Sequence, residues 1–319
     1  MCYSAQVWAD YRKYLNAFGV KIGIREFFEL FWRDREKAKI KIPRAMEAPF
    51  ADPQTDMERQ IKEAIDAFNV HETARLEQEI FKQRKRLADA ERNLATKLTK
   101  AASESKRIAT AKVEANFRRL DDLKRSDLKE KDSRIFPQYY APVMIMENGQ
   151  LVVKPMRYLC RPAGKPAFVD VKYPGTYNAR RDSLNGYWKG TFGYTHGIVA
   201  INKFYENVNR HRVEGRQLGA CEEPENVVLE FAPQIPQDMF IACLWARWSA
   251  EGQPDLLSFA AITDEPPPEV AAAGHDRCII PIKRENINAW LNPDPANLEA
   301  QYAILDDRET PYYEHRKAA

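Results

Sequence analysis

A long stretch without glycine or proline constrains the fold of this chain more than any other feature. It runs from Gln54 to Phe136, whereas the rest of the 319-residue chain holds all 13 glycines and all 20 prolines. Both residue types interrupt helices, so their absence over this length predicts continuous helix. The stretch contains 20 Lys or Arg and 16 Asp or Glu residues, which favours helices with charged, solvated faces.

Apolar or small residues recur in this stretch at alternating spacings of three and four, the heptad-like pattern of helices that pair along a seam. The seam consists of Leu76, Ile80, Leu87, Ala90, Leu94, Leu98, Ala101 and Ile108. As one helix the stretch would exceed about 100 Å, at about 1.5 Å per residue. A turn at the small polar patch 101–105 would instead make a hairpin. The pattern leaves both forms open, and both make 54–136 a helical insertion between 1–53 and 137–319.

The function of the insertion is also open from its sequence. Mixed charges on a helix are typical of a spacer, of a self-pairing coiled coil, or of an arm that binds a partner protein. The basic clusters Arg84–Arg86 and Arg118–Arg119 fit a helical arm that lies on nucleic acid.

The chain on either side of the insertion has a different character. Short apolar runs after Pro137 are separated by Gly, Pro and Asn, as in β-strands joined by turns. We predict strands at 141–146, 150–159, 196–206, 226–232, 238–248, 256–263 and 277–282. Amphipathic helices are predicted within 7–32, a proline-marked linker at 43–53 and a short helix at 286–291. The charged tail at 306–319 is expected either to wrap the surface or to be loose. Strands outnumber helices, so the predicted fold class is α+β.

Composition excludes several classes of protein. The longest apolar runs fall short of the roughly 18 residues that a transmembrane helix requires, and the N-terminus lacks the apolar segment of a signal peptide. The five cysteines are scattered, without a CxxC pair, which argues against a disulfide framework or a zinc site. We therefore expect a cytoplasmic protein without a metal, a cofactor or a membrane partner. A net charge of +3 excludes a strongly basic nucleic-acid coat but leaves room for a local basic groove.

Cys2 is the most reactive candidate residue. Removal of Met1 would give it a free α-amine, with a pKa of about 7.7–8.0, beside a thiol with a pKa of about 8.5. Such a 1,2-aminothiol condenses with an aldehyde to an imine and then closes to a thiazolidine ring. The alternative is that Cys2 is an incidental residue next to the initiator.

Four further residue types suited to chemistry follow in the β-rich part. Asn178 and Arg180 stand after a Pro-Gly turn, and an arginine fork binds phosphate. Glu206 ends an apolar strand, where desolvation would raise its pKa for acid–base work. His275 precedes Arg277 after a glycine turn, and histidine transfers protons readily near neutral pH. The alternatives are a capped loop for Asn178 and Arg180, an edge glutamate that faces solvent for Glu206, and a polar surface residue for His275.

Together and in this order, these residues resemble the SRAP family, the SOS-response-associated peptidases that process abasic sites in DNA. The resemblance covers residues 1–20 and about 136–295. It depends on Met1-Cys2, the Asn178-Ala179-Arg180 segment, GIVAINKFYE (197–206), ACLWARW (242–248), SFAAIT (258–263), GHDR (274–277) and NAWLNP (288–293).

The resemblance implies a β-barrel-like core and a specific activity. Members expose the N-terminal cysteine by self-processing, bind single-stranded DNA or a single-strand/duplex junction, and trap the abasic sugar as a thiazolidine crosslink that shields the lesion. Cys2 would be the nucleophile, Asn178 would position it or the sugar, and Glu206 would handle the amine protons. His275 would open the sugar ring and reverse the crosslink. The DNA phosphates would be held by Arg180 and Arg277.

Departures from the family pattern fall mainly on positions that shape the DNA groove. Residues 200–203 read AINK where the family has Pro-Ala-x-Gly, and the family's aromatic pair is missing from 163–165. Lysines and arginines could supply a replacement basic surface, at Lys165, Lys172, Lys189, Lys203, Arg210 and Arg212. The alternative from another class is a non-enzymatic scaffold that uses the fold and the coiled coil to recruit a repair or replication partner.

Overall fold

The computed structural model describes residues 3–32, 40–219 and 222–318. The chain divides into two compact units, one formed by Met1–Asp52 with Lys129–Ala319 and the other by Pro53–Leu128. The strands are β1 (Ser4–Val7), β2 (Lys21–Ile22), β3 (Arg134–Ile135), β4 (Tyr140–Glu147), β5 (Gln150–Tyr158), β6 (Asn178–Arg180), β7 (His196–Asn209), β8 (Asn226–Pro233), β9 (Met239–Ala250), β10 (Gln253–Asp264), β11 (Cys278–Ile279) and β12 (Tyr313–Lys317). The α-helices are α1 (Arg12–Phe18), α2 (Ile24–Trp32), α3 (Asp56–Thr96), α4 (Lys100–Lys124), α5 (Val169–Lys172), α6 (Arg210–Val213), α7 (Pro268–Ala272), α8 (Ile287–Leu291) and α9 (Leu298–Asp306).

A closed five-stranded barrel forms the centre of the larger unit. β4 pairs antiparallel with β5 and β7, β9 pairs antiparallel with β7 and β10, and a parallel β5–β10 pair closes the ring. The five strands are rich in β-branched and aromatic residues, which suit a pleated, buried surface. Both the predicted α+β class and the β-barrel-like core are confirmed.

Shorter strands extend the barrel at its edges. β1 and β8 pair with opposite edges of β7 beyond the barrel, and β6 and β11 flank the end of β10. All seven predicted strands are present, with bounds that differ by a few residues. The predicted helices at 7–32 and 286–291 correspond to α1, α2 and α8, but β1 occupies the start of the first segment.

The charged tail and the proline-marked linker are both ordered. The charged tail contains β12, which pairs antiparallel with β8 because an exposed strand edge there accepts backbone hydrogen bonds. The proline-marked linker contains two short 3-10 helices, at Arg44–Met46 and Ala48–Ala51, and buries Met46 and Phe50. Phe50 packs against the rings of Tyr11 and Phe27, so apolar burial outweighs the proline signal in this segment.

The smaller unit is an antiparallel helical hairpin. α3 has 41 residues and α4 has 25, so the single continuous helix does not form. The turn lies at 97–99, just before the patch at 101–105 that the sequence indicated, and the patch itself is helical. Thr99 fixes the start of α4, since its hydroxyl oxygen accepts a hydrogen bond from the Ala102 amide at 3.2 Å. Leu76, Ile80 and Leu120 form the buried core of the hairpin, with Phe117 and Leu123 packed against it.

Candidate active site

A buried carboxyl and an imidazole lie in contact at the end of β7. Glu206 Oε2 is 3.3 Å from His275 Nε2, and the Glu206 side chain is completely buried. Glu206 lies in the middle of three paired strands, because β8 pairs with it on one side and β1 pairs with its neighbour Tyr205 on the other. The alternative of an edge glutamate that faces solvent is therefore wrong.

Gly274 allows the His275 loop to approach β7 closely. Its φ is +94°, a conformation that residues with a Cβ rarely adopt. A Cβ added there would lie 2.8 Å from Val208 Cγ1 and 3.1 Å from Arg212 Cβ. The glycine turn noted in the sequence is thus what brings the imidazole next to Glu206.

Hydrogen bonds of the ring assign the tautomer of His275. Its Nδ1 lies 2.8 Å from the Arg277 carbonyl oxygen, a short contact in which the ring N–H donates. The Arg277 amide also points at Nδ1, but at a longer 3.4 Å. Nε2 then keeps its lone pair toward Glu206, which suits transfer of a proton between the two groups.

Burial drives both groups toward their neutral forms. Desolvation raises the pKa of Glu206 well above its usual range and lowers the pKa of His275. Burial therefore favours a carboxylic acid next to a neutral imidazole, with one proton between the two groups. Such a pair can give and take protons without first binding one from bulk water.

The described chain begins directly against this pair. The Tyr3 amide donates to Glu206 Oε2 at 3.2 Å and also to the Tyr205 carbonyl at 3.2 Å. β1 starts at the next residue, so strand pairing fixes where the N-terminal segment enters the site. The candidate nucleophile Cys2 lies outside the described residues.

Asn178 and Arg180 belong to a second group, on the short strand β6. β6 runs parallel to the end of β10, with Asn178 opposite Ala261 and Arg180 opposite Thr263. The Asn178 side chain is buried, and neither its Oδ1 nor its Nδ2 has a hydrogen-bond partner among the described residues. Buried amides are normally paired, so this one is available to a ligand.

Both residues line a cavity of about 660 Å³. Its wall combines basic and aromatic side chains: Lys165, Lys172, Phe168, Tyr173 and Tyr187. The three aromatic side chains are between 44% and 60% exposed. Exposed aromatics beside cations are typical of surfaces that stack unpaired bases and hold phosphates.

Arg277 belongs to the His275 loop and also contacts the segment that follows Arg180. Its Nη2 lies 3.5 Å from Asp182 Oδ2, two residues beyond Arg180. The register of β10 explains this proximity, because Thr263 is paired with Arg180 on one side and with Ile279 on the other. Neighbouring strands are about 4.8 Å apart, so β6 and β11 lie on either side of the same end of β10.

Sequence reasoning missed two parts of the site. The Tyr3 amide contact could not be predicted, since it depends on the pairing of strands that lie far apart in the chain. The aromatic wall was missed because the sequence was searched for the family's aromatics at 163–165, whereas the structure supplies Phe168 and Tyr173 a few residues later.

Only part of the expected replacement basic surface lies at the cavity. Lys165 and Lys172 do line the cavity. Lys203, however, forms ion pairs with Glu130 and Glu230, and Arg210 forms ion pairs with Glu214 and Glu225. Nearby carboxylates thus neutralise two of the residues that were expected to contact phosphate.

The described ranges contain neither a candidate metal site nor a candidate membrane span. No group of three or more His, Cys, Asp or Glu side chains there is arranged to hold a metal ion. Nor does any helix in those ranges combine the length and the apolar character needed to cross a membrane.

Comparison with known families then decides the classification. The family model described as SOS response associated peptidase (SRAP) matches residues 96–317. The chain belongs to the SRAP family. Membership indicates a DNA-binding, peptidase-like protein associated with DNA damage and abasic sites. The SRAP match includes α4 and the barrel but starts after the N-terminal segment, so it does not bear on Cys2.

Three solved structures are similar to this SRAP chain at low sequence identity. A Bordetella bronchiseptica protein is 16% identical over 61% of this chain and 90% of its own, with a TM-score of 0.46. A Bacteroides thetaiotaomicron protein is 15% identical over 58% of this chain and 77% of its own, with a TM-score of 0.45. A phage-related protein from Bordetella bronchiseptica is 16% identical over 58% of this chain and 80% of its own, with a TM-score of 0.43. A search of curated proteins found no match.

Proposed function

We propose that this protein captures abasic sites in single-stranded DNA, or at a single-strand/duplex junction, as a covalent thiazolidine on Cys2. The observation that carries the proposal is the hydrogen bond from the Tyr3 amide to the buried Glu206 carboxyl, which itself contacts His275. Cys2 is bonded directly to Tyr3, and consecutive Cα atoms are about 3.8 Å apart. A free amine on residue 2 would therefore be only one residue along the chain from the amide that contacts the proton-transfer pair.

The reaction balances without an oxidant or a cofactor. Hydrolysis of the Met1–Cys2 peptide bond exposes the α-amine. The amine adds to the aldehyde carbon of the ring-opened sugar, and loss of one water gives an imine. The Cys2 sulfur then adds to the imine carbon and its proton passes to the nitrogen, which closes the five-membered ring.

Each candidate residue has a role that its surroundings support. Glu206, neutral because it is buried, would donate its proton to the aldehyde oxygen as the amine adds, would then accept the amine proton, and would pass it to the departing hydroxyl. His275 would open the sugar ring and assist reversal of the crosslink, through the Nε2 that faces Glu206. Asn178, whose amide lacks a partner in the described chain, would position the amine or the sugar.

Phosphates on either side of the lesion would be held by the two arginines. Arg180 is exposed at the cavity, where its planar fork suits phosphate oxygens. Arg277 is held near Asp182 at 3.5 Å, longer than a strong bidentate ion pair, so a phosphate could compete for it. The exposed aromatic side chains of the cavity would stack the neighbouring bases.

Denaturing electrophoresis with an oligonucleotide that carries one abasic site tests the proposal. Wild type should give a shifted, heat-stable band, whose intact mass equals protein without Met1 plus DNA minus one water. Cys2→Ala keeps the amine and should give at most an imine, which survives heating only after borohydride reduction. An oligonucleotide with a tetrahydrofuran analogue, which has no aldehyde, should give no band.

A matched cysteine control is Cys160→Ser. Cys160 is fully buried, and burial raises the pKa of its thiol to about 12, so this variant should crosslink like wild type. If wild type lacks Met1 and still gives no band, the thiazolidine proposal is wrong. An intact Met1 would favour the non-enzymatic scaffold instead.

A further inference from the structure

The helical hairpin separates its charges along its length. At the end away from the turn, residues 56–81 and 108–124 together carry seven Lys or Arg and ten Asp or Glu. Between residues 82 and 107, around the turn, it carries nine Lys or Arg and only three Asp or Glu. A spacer that needs only solubility has no reason to collect positive charge at one end, whereas a polyanion-binding surface does.

The three acids near the turn are already engaged. Asp89 pairs with Arg92, Glu91 with Lys106 at 3.0 Å, and Glu104 with Arg107 at 2.5 Å. Six bases of this region have no carboxylate partner among the residues that the structure describes: Lys82, Arg84, Lys85, Arg86, Lys97 and Lys100. The net positive charge of the region therefore comes from side chains that can take an external anion.

Four of these six bases line one groove between α3 and α4, with a volume of about 700 Å³. Lys82, Lys85 and Arg86 lie on one face of α3, three and four residues apart, and Lys97 follows the end of that helix. From the first to the last, the row spans about 22 Å at about 1.5 Å per residue. We call this surface the basic groove.

The opposite wall of the basic groove consists of small and polar residues of the turn and α4: Thr99, Ala101, Ala102 and Ser105. Ser105 Oγ accepts a hydrogen bond from Arg86 Nε at 2.9 Å, which orients that guanidinium. None of the lining residues described for the groove is aromatic or large and apolar. Unpaired bases would find no ring to stack on, and an amphipathic helix would find no apolar pocket.

We propose that the basic groove binds the phosphate backbone of duplex DNA without reading its sequence. Duplex DNA presents about one negative charge per 1.7 Å of its axis, so a row of cations about 22 Å long faces a matching density of phosphates. Contacts of this kind supply affinity and no base recognition. The proposal does not depend on the crosslinking chemistry, because the groove would bind DNA that contains no lesion.

The test compares two charge-matched variants of the full chain on undamaged duplex DNA. The groove variant is Lys82→Gln, Lys85→Gln, Arg86→Gln and Lys97→Gln. The control variant is Lys62→Gln, Arg75→Gln, Arg118→Gln and Lys124→Gln, which removes four hairpin bases that already have carboxylate partners. Glutamine favours helix about as well as lysine and arginine, and circular dichroism checks that both variants keep the helix content of wild type.

The readout is fluorescence anisotropy with a duplex of about 24 base pairs at about 50 and about 200 mM salt. Four phosphate contacts contribute on the order of a hundredfold to the loss of affinity between these salt concentrations. We expect the groove variant to lose this contribution and the control variant to keep it. Equal loss in both variants would overturn the proposal, since net charge and not the groove would then govern binding.

Two other ligands test the choice of duplex DNA. An undamaged single strand of the same length should lose less affinity than the duplex upon the groove substitutions. Vesicles of phosphatidylcholine mixed with phosphatidylserine test an anionic membrane surface, to which the exposed Leu98 beside Lys97 would give access. If the groove substitutions weaken vesicle binding as much as duplex binding, or weaken single-strand binding more, the proposal is wrong.

Discussion

The barrel site and the basic groove use charged side chains in opposite ways. In the barrel, Glu206 is completely buried and contacts His275 and the Tyr3 amide. In the hairpin, the groove lysines extend into solvent. Burial changes which protonation state a group prefers and so permits proton transfer. Solvated charges act only by attraction, which salt screens.

This contrast predicts two kinds of response to mutation. Changes in the barrel site should have large effects that are confined to abasic DNA. Changes in the hairpin should affect stability or binding locally and leave the chemistry intact. Single substitutions and a pH titration test whether the two kinds of effect are independent. The substitution expected to have the largest effect lies in the barrel site.

Glu206→Gln should slow crosslink formation by about 10²- to 10⁴-fold, the usual contribution of a positioned acid or base. Glutamine keeps an oxygen that can accept the Tyr3 amide hydrogen bond, but it cannot carry the proton. Single-turnover electrophoresis with abasic single-stranded DNA measures the rate. Binding to undamaged duplex DNA should remain at the wild-type level, and a rate within about threefold of wild type would show that the carboxyl does not carry the proton.

Leu76→Ala should destabilise the hairpin by about 2–5 kcal/mol, because Leu76 is buried with Ile80 and Leu120. Hydrogen exchange measured by mass spectrometry should show α4 amides losing between about 30-fold and several thousandfold of their protection. The amides of β9 and β10 should keep theirs. Val70→Ala is the control, as Val70 is 72% exposed, and it should change neither set.

Equal loss of protection in the barrel strands would contradict the separation. The hairpin and the barrel would then unfold as one cooperative unit, and hairpin mutations would reach the active site through stability.

The features that could be predicted from the sequence are those that depend on local patterns. The seven strands and the helical insertion follow from local patterns: apolar runs between turn residues, and a stretch without Gly and Pro. The turn of the hairpin was placed a few residues too late because the polar patch at 101–105 looked like a break. The Thr99 cap and the loss of helical conformation at Lys97 depend on backbone geometry that the patch does not reveal.

The site was predictable only in part, for a related reason. Glu206 and His275 were selected by residue type and order, but their contact requires the Gly274 turn to meet the end of β7, which lies far away in the sequence. The contribution of Tyr3 is a backbone amide, which carries no sequence signal. β12 was missed as well, because its residues, YEHRK, are charged, and only the free edge of β8 makes them a strand.

The smallest predicted change, taken per pH unit, is a pH dependence of stability that belongs to Glu206. Its pKa in the folded protein is raised, so the folded state holds a proton that the unfolded chain releases above about 4.3, the usual glutamate pKa. This contribution to stability is full at low pH and is lost as pH rises toward the folded pKa. His275 has the opposite sign, since its lowered pKa gives a contribution that is full above about 6.5 and is lost as pH falls.

Comparison of wild type with Glu206→Gln reports the contribution of the carboxyl, together with the change that its loss makes at the neighbouring imidazole, because both proteins keep His275. The free energy of unfolding of wild type relative to the variant should fall by about 1.4 kcal/mol per pH unit above about pH 5, until the folded pKa is reached. Chemical denaturation between about pH 5 and pH 9 measures the difference. Glu299→Gln, at an exposed position of α9, should follow wild type throughout. A constant difference between wild type and Glu206→Gln would mean that Glu206 ionises in the folded protein as it does in the unfolded chain, and burial would no longer distinguish the barrel site from the basic groove.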